Sequence, residues 1–505
     1  MDHATKTRRR SLLLTLSTLP LLVLCPLFLD AQAPGDPESQ YVLATRLYDE
    51  ANFREALDAY DTAIGAADAD LATRARKGKV RTALRIAEFD LAHREAELLS
   101  TDEGTDAEAL TLYGDALWAN GLFDEADVAY ADAFAEAPGS SRAQFGLARS
   151  LATRNRLDEA LERALAVAAS APDDPEAHAL VGLVYERLNR YEESAEAYER
   201  YTRLLPENEN STMGATFRSK IRLLRAFRGR VPVQIDADSA GRVHRVPFRL
   251  VNRKIVLQGR INGRSVEFVL DTGSERTGIS TATARRVGVN TVTSTLTAGV
   301  GPAAFRRLEL GRADRLEIGS LRIRHVPVSI RNLGRGTLPR WQAESFSPLS
   351  LGLSVVVDYE RSEVVLAEEL PASAADFSLP MRMNRLPLVR GLLNSTHPAY
   401  FVVDTGGEMI SISAETATAL PPPPRHIPLR VFGMSGMDEG AFLLPGVDLD
   451  FDEIEYRKVG LAVLNLRAPS VLLGFQLGGI IGHTFLGGYR VSIDMTRSEL
   501  RLEKF

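Results

Sequence analysis

Two stretches of this chain end in the same way, and that echo limits the fold more than any other feature. Val266-Glu267-Phe268-Val269-Leu270 runs into Asp271-Thr272-Gly273-Ser274. Then, 133 positions later, Tyr400-Phe401-Val402-Val403 runs into Asp404-Thr405-Gly406-Gly407. In each copy an apolar run rich in β-branched and aromatic residues ends in a carboxylate followed by Thr-Gly. That order places the acid where a strand stops and a tight loop begins. One such triplet means little without context, and the second copy inside matching surroundings supplies it.

The surroundings repeat as well. Beyond Val231 the chain becomes short runs of Val, Ile, Leu and Phe punctuated by Gly, Pro and Asn, the texture of an all-β region. In the first pass Lys254 to Ile261 reads as a strand, Asn262-Gly263 as a two-residue hairpin turn, and Ser265 to Leu270 as the return to Asp271. In the second, Leu386 to Leu393 leads through Asn394 to Pro398 and into Tyr400 to Val403. Each triplet is followed by an Ile-Ser pair and a short helical segment, Thr281 to Val287 after Ile279-Ser280 and Ala414 to Leu420 after Ile412-Ser413. Each pass closes with a hairpin, Val356 to Leu366 and Ser492 to Leu502, in which Asp358 and Asp494 read as turn residues 136 positions apart. The expected units are 245–370 and 378–505.

The first half of the chain is different in kind. From about Gln40 to Pro206 it is rich in Ala, Leu and Glu, and it repeats with a period of 34: Gly114, Ala148 and Gly182; Ala126, Ala160 and Ser194; Tyr130, Ala164 and Tyr198; Pro138, Pro172 and Pro206. Small residues let two antiparallel helices approach, the aromatic fills the gap between neighbours, and proline ends the second helix. Asn52-Phe53, Gly121-Leu122-Phe123, Asn155-Arg156-Leu157 and Asn189-Arg190-Tyr191 mark turns between helices. This pattern resembles the tetratricopeptide repeat, with about five copies. The resemblance implies a solenoid, here 38–230, whose concave face holds a protein or peptide partner. The basic stretch from Thr212 to Arg230 reads as its capping helix, with a solvated outer face.

Ahead of the repeats, Lys6 and Arg8-Arg9-Arg10 precede a Leu-rich run from Leu12 to Leu29, and Ala31-Gln32-Ala33 supplies small residues for cleavage. This is the order of a secretory signal peptide, 1–33, and it points to an exported, periplasmic or secreted protein. Membrane attachment follows only if that segment is retained. The one cysteine, Cys25, lies within it, so the mature chain would use no disulfide or thiol chemistry. A composition of 25 % charged residues with a net charge of −6 excludes a strongly basic nucleic-acid binder. The histidines are scattered with no His-Glu-x-x-His, and no phosphate-binding or nucleophile-elbow motif occurs, so no metal or cofactor is implied.

The duplicated half is similar to two retropepsin-type aspartic protease lobes in tandem on one chain. The resemblance implies an all-α solenoid followed by two mainly-β lobes related by a pseudo-two-fold axis, with Asp271 and Asp404 facing each other as a catalytic dyad. It further implies that Thr272, Gly273, Thr405 and Gly406 position the dyad. It implies that Ile480, Ile481 and Gly482 are the second lobe's supporting apolar-apolar-glycine element, beside a structural His483. The first lobe's counterpart, expected near Phe346 to Leu353, does not match that pattern, and Gly407 stands where Ser or Ala is usual. The expected activity is aspartic-type endopeptidase cleavage of a polypeptide held extended, with the solenoid recruiting substrate or partner proteins. The alternative is a protease-like scaffold that does not cleave. Flap candidates are Ala298-Gly299-Val300-Gly301-Pro302 and Phe432-Gly433-Met434-Ser435-Gly436-Met437.

Overall fold

A computed structural model describes residues 36–66, 68–103, 106–206, 212–301, 305–332, 342–422, 427–433 and 436–505. The signal-peptide expectation and Cys25 therefore lie outside the described residues. Among the described residues no helix is long and apolar enough to cross a membrane.

The helical half is a tetratricopeptide solenoid with five antiparallel pairs among the described residues. They run from Pro37–Asp49 with Phe53–Ala66 to Pro175–Arg187 with Tyr191–Leu204. The first helix of each pair is capped by a side chain, from Asp36, Asp68, Asp106, Ser140 and Asp174, which accepts otherwise unpaired N–H groups. The turn inside each pair needs one residue at positive φ, and Ala51, Ala87, Gly121, Asn155 and Asn189 occupy it. Alanine at the first two explains why the early repeats are hard to read in the sequence. The 34-residue Gly and Tyr series answer one another. A Cβ at Gly114 would lie 2.6 Å from the Tyr130 ring, and one at Gly182 would lie 2.5 Å from the Tyr198 ring.

The β half is assembled around one six-stranded antiparallel sheet shared by its two parts. The strand order is His244–Val251, Glu363–Ala367, Ser354–Asp358, Tyr489–Asp494, Glu499–Lys504 and Phe377–Asn384. At its centre the two closing hairpins lie side by side, with Val355 opposite Ile493 and Val357 opposite Val491. Asp358 and Asp494 each accept the N–H three residues on, from Arg361 and Arg497, and so fix the hairpin turns. Above the sheet each part repeats one plan. Lys254–Ile261 pairs with Arg264–Leu270, and Leu386–Leu393 pairs with His397–Val403. The Ile-Ser strands Gly278–Ser280 and Ser411–Ser413 then join Leu321–Arg331 and Ile454–Leu464 in parallel. Leu270, Phe346, Phe401, Val403, Ile481 and Ile493 share one apolar core. The strand Gln234–Ile235, ahead of the boundary at 245, also belongs to this half, because it pairs with Ile323 and Arg324.

The solenoid is welded to both parts of the β half. Leu117, Trp118, Phe123 and Tyr130 share an apolar cluster with Leu388, Tyr400, Val402 and Phe475. The Phe123 and Tyr400 rings meet edge-on at 4.8 Å. Within this interface Arg382, 3 % exposed, donates to Asp124 and to Asp127 at 2.6 Å, and the Tyr400 hydroxyl donates to Asp124 at 2.7 Å. On the other side, the basic helix Thr212–Arg225 stacks on the last repeat, but its outer face is only partly solvated because the β half also packs on it. Leu223, Leu224 and Phe227 pack against Tyr191, Tyr198 and Leu310, and Arg222 donates to Thr293 at 2.9 Å. Its charges are met by the last repeat, Lys220 by Glu186 and Arg225 by Glu199.

Candidate active site

Asp271 and Asp404 sit at the ends of equivalent strands and are held by equivalent bonds. The Asp271 N–H donates to the Phe346 carbonyl at 2.9 Å and the Asp404 N–H to the Ile481 carbonyl at 3.0 Å. Ile481 belongs to the Ile480-Ile481-Gly482 element, which runs parallel to the Asp404 strand with Val402 opposite Ile480 and Val403 opposite Ile481. In the first part Val269 stands opposite Ser345 and Leu270 opposite Phe346. The missing counterpart is therefore Ser345-Phe346-Ser347, and a search for its sequence pattern near Phe346 to Leu353 looks one residue too late and for the wrong residue types. Serine replaces glycine because its hydroxyl finds work: Ser347 Oγ donates to the Ser274 carbonyl at 2.6 Å, and Ser347 N–H donates to Thr277 Oγ1. At Gly482 a Cβ would lie 2.6 Å from the Gly407 carbonyl carbon, so that position excludes larger residues.

The two triplets interlock. Thr272 Oγ1 donates to the Val403 carbonyl at 2.6 Å and accepts the Thr405 N–H at 3.0 Å. Thr405 Oγ1 donates to the Leu270 carbonyl at 2.9 Å and accepts the Thr272 N–H at 3.1 Å. Both threonines are 1 % exposed, so these four bonds form away from competing water. The glycines bring the opposite carboxylate close. A Cβ on Gly273 would lie 2.5 Å from Asp404 Cγ. The Cβ position of Gly406 lies 3.1 Å from Asp271 Oδ1 and 3.1 Å from Asp404 Oδ1, so a single point touches both acids.

Charge in this pair is unevenly distributed. Burial pushes the Asp404 carboxyl up to about 7, helped by the charge of Asp271 and opposed by the Gly406 N–H at 2.8 Å. Burial also raises Asp271, but the Arg331 guanidinium and the Ser274 side chain oppose it. Two carboxylates placed so close titrate as one unit.

Residues 257–355 match the model of the aspartyl protease family, and 117–184 and 175–208 match tetratricopeptide repeat models. The chain joins tetratricopeptide repeats to an aspartyl protease domain. No curated protein matches the chain. Among solved structures it is similar to a thermophilic tetratricopeptide repeat protein of Thermus thermophilus, at 16 % identity over 38 % of this chain and 100 % of that one, with a TM-score of 0.32. It is also similar to one from Parabacteroides merdae ATCC 43184, at 18 % identity over 39 % and 75 % of the two chains, with a TM-score of 0.30. A third is YrrB, described as a TPR protein with an unusual peptide-binding site, at 20 % identity over 34 % and 88 %, with a TM-score of 0.23.

Around the two aspartates stand charged residues that motif reading passes over. Glu275 follows Asp271 by four positions and is held by Arg385 at 2.7 Å, across the two parts of the β half. Glu408 follows Asp404 by four positions and faces Lys254 at 3.3 Å. The signal for both was available in the shared spacing Asp-Thr-Gly-x-Glu. Next to Glu275, Arg276 lies 3.7 Å from Glu186 of the solenoid, which also pairs with Lys220 and accepts from the Tyr198 hydroxyl. His483 packs edge-on against Tyr359 at 5.3 Å and is kept below its usual value by burial and by Arg253 and Lys254.

The two flap candidates meet. Val431–Gly433 and Gly436–Asp438 form a hairpin, and a Cβ on Gly433 would lie 2.6 Å from Val300 Cβ. Pro302, Met434 and Ser435 lie outside the described residues. A cavity of about 1680 Å³ opens between the solenoid and the β half, lined by Tyr48, Arg149 and Glu186 on one side and Glu275, Arg276 and Arg385 on the other. One hollow thus connects the solenoid's inner surface with the loop that follows Asp271.

Proposed function

We propose that the β half is an aspartic-type endopeptidase and that Asp271 and Asp404 are its dyad, with Thr272, Gly273, Thr405 and Gly406 holding them. The observation that carries this reading is the reciprocal threonine lock between the two triplets, which leaves an oxygen of each carboxylate the same 3.1 Å from one point. Burial raises both acids, so the pair holds one proton between them, and the nearby Arg331 charge favours leaving that proton on Asp404. Asp271 takes a proton from a water as the water oxygen bonds to the peptide carbon, and Asp404 gives its proton to the carbonyl oxygen. The resulting diol collapses when the proton held by Asp271 passes to the amide nitrogen, Asp404 takes a proton back from a diol hydroxyl, and the C–N bond breaks to leave a carboxylic acid and an amine. No covalent enzyme intermediate is required.

The substrate is a polypeptide held extended across the dyad, and the solenoid presents it or binds a partner protein through the shared cavity. The order of residues 1–33 supports export, which sequencing the N-terminus of the mature protein from a periplasmic or culture fraction would test. The scaffold alternative was motivated by the unmatched element of the first lobe. Phe346 makes the same bond to Asp271 that Ile481 makes to Asp404, which supports the peptidase reading over that alternative. The test is cleavage of an unfolded protein between pH 3 and 8 by wild type, Asp271→Asn and Asp404→Asn. Loss of cleavage in both variants is expected; equal behaviour of all three refutes the peptidase.

A further inference from the structure

The two aspartates lie on a repeated plan, but their surroundings are not repeated. Val269 and Val402 each stand two residues before an aspartate, and their strand partners are Val256 and Leu388. Two residues before those partners come Lys254 and Leu386, so these are equivalent positions. Leu386 is buried in the apolar cluster shared with the solenoid. Lys254 is equally buried, at 7 % exposure, yet carries an ammonium group. Its Nζ donates to the Gly406 carbonyl and lies 3.3 Å from Glu408 Oε1.

Gly406 is the residue whose N–H bonds Asp404 Oδ1 and whose Cβ position touches both acids. The cation is therefore one peptide unit from the dyad, and it reaches there from the opposite part of the β half. Taking an ammonium out of water is costly, and the fold does not demand it, because leucine fills the equivalent place. We propose that Lys254 is a positioning residue of the dyad: it pins the Gly406 loop and supplies a fixed positive charge that favours ionisation of the carboxylate pair. The proposal rests on the peptidase reading above for its kinetic consequence only.

Other charges face the same centre and must be held constant in a test. Arg331 acts on Asp271 from the strand Leu321–Arg331, and it also faces Glu344. Glu408 partners Lys254, and His483 lies close enough to feel Arg253, Lys254 and Glu408. Lys254 opposes the rise of both Asp271 and Asp404, so its loss moves both titrations upward.

Full-length wild type, Lys254→Met and Lys254→Arg are compared in two ways: the pH profile of kcat/KM on an unfolded protein, and the pH step in urea midpoint without substrate. In Lys254→Met both limbs of the profile and the step are expected about one pH unit higher, as for a cation a few ångströms away in a partly dry site. Lys254→Arg should restore them. Superimposable wild-type and Lys254→Met curves, or an arginine variant displaced as far as methionine, overturn the proposal. A wild type that cleaves nothing refutes the peptidase, while the substrate-free step still decides the role of Lys254. Should Lys254→Met not fold, Glu408→Gln replaces it, since Glu408 is exposed: the step then moves to lower pH, and an unmoved step refutes the proposal.

Discussion

Replacing Asp404 by asparagine probes the dyad without knowledge of its substrate. In the unfolded chain this carboxyl loses its proton near 3.8, and in the folded protein near about 7. The folded state thus holds a proton that the unfolded state has released, and this group's contribution to stability falls as pH rises from about 4 to about 7, then levels off. A difference of about three units at roughly 1.4 kcal/mol each would give about 4 kcal/mol in a dry site. Asp404 is only half-buried, so about 2–4 kcal/mol is expected. The asparagine side chain has no charge to bury and still offers an oxygen to the Gly406 N–H. The variant should therefore lack this fall and gain about 2–4 kcal/mol on wild type between pH 4 and pH 8. Urea midpoints followed by tryptophan fluorescence, to which Trp118 contributes from the junction between solenoid and β half, measure the difference. Asp271→Asn should move the fall to lower pH, because the charge of Asp271 is the second cause of the shift. Identical pH dependence of wild type and Asp404→Asn between pH 4 and pH 8 would refute the account of a raised, coupled pair.

Three further outcomes follow from named contacts. Thr272→Val removes the hydroxyl that serves both Val403 and Thr405 in a dry interface, and should cost about 2–3 kcal/mol in urea unfolding together with most of the cleavage rate. Gly273→Ala pushes a methyl group to 2.5 Å from Asp404 Cγ; circular dichroism should show an intact fold while cleavage drops at least tenfold. Arg382→Met leaves Asp124 and Asp127 with Arg154 as their remaining cation and takes the Arg382 donors out of the junction of solenoid and β half, a loss of about 1–3 kcal/mol that a thermal melt would register.

Local chemistry made much of this legible. A strand that ends in Asp-Thr-Gly, a hairpin at Asn262-Gly263 and a 34-residue recurrence of small and aromatic residues each follow from short-range rules, and the structure builds the corresponding elements there. The first part's supporting element was illegible because backbone pairing, which any residue can supply, does the holding; the pattern of Ser345-Phe346-Ser347 gives no sign of it. The basic helix was only half legible for a related reason: Arg218 and Arg222 stay exposed, as a solvated face should, but Glu186, Glu192 and Glu199 hold Lys220 and Arg225, and Arg222 reaches Thr293 of the strand Thr291–Thr297.

By itself, then, the sequence determined which elements form and which two carboxylates end equivalent strands, because periodicity and turn chemistry act over a few residues. Only the tertiary structure decided that the two triplets interlock, that Lys254 and Arg331 bring positive charge to them, and that the solenoid clasps both parts of the β half. Those relations join residues far apart along the chain. They depend on how packed layers place side chains in space, which no local pattern encodes.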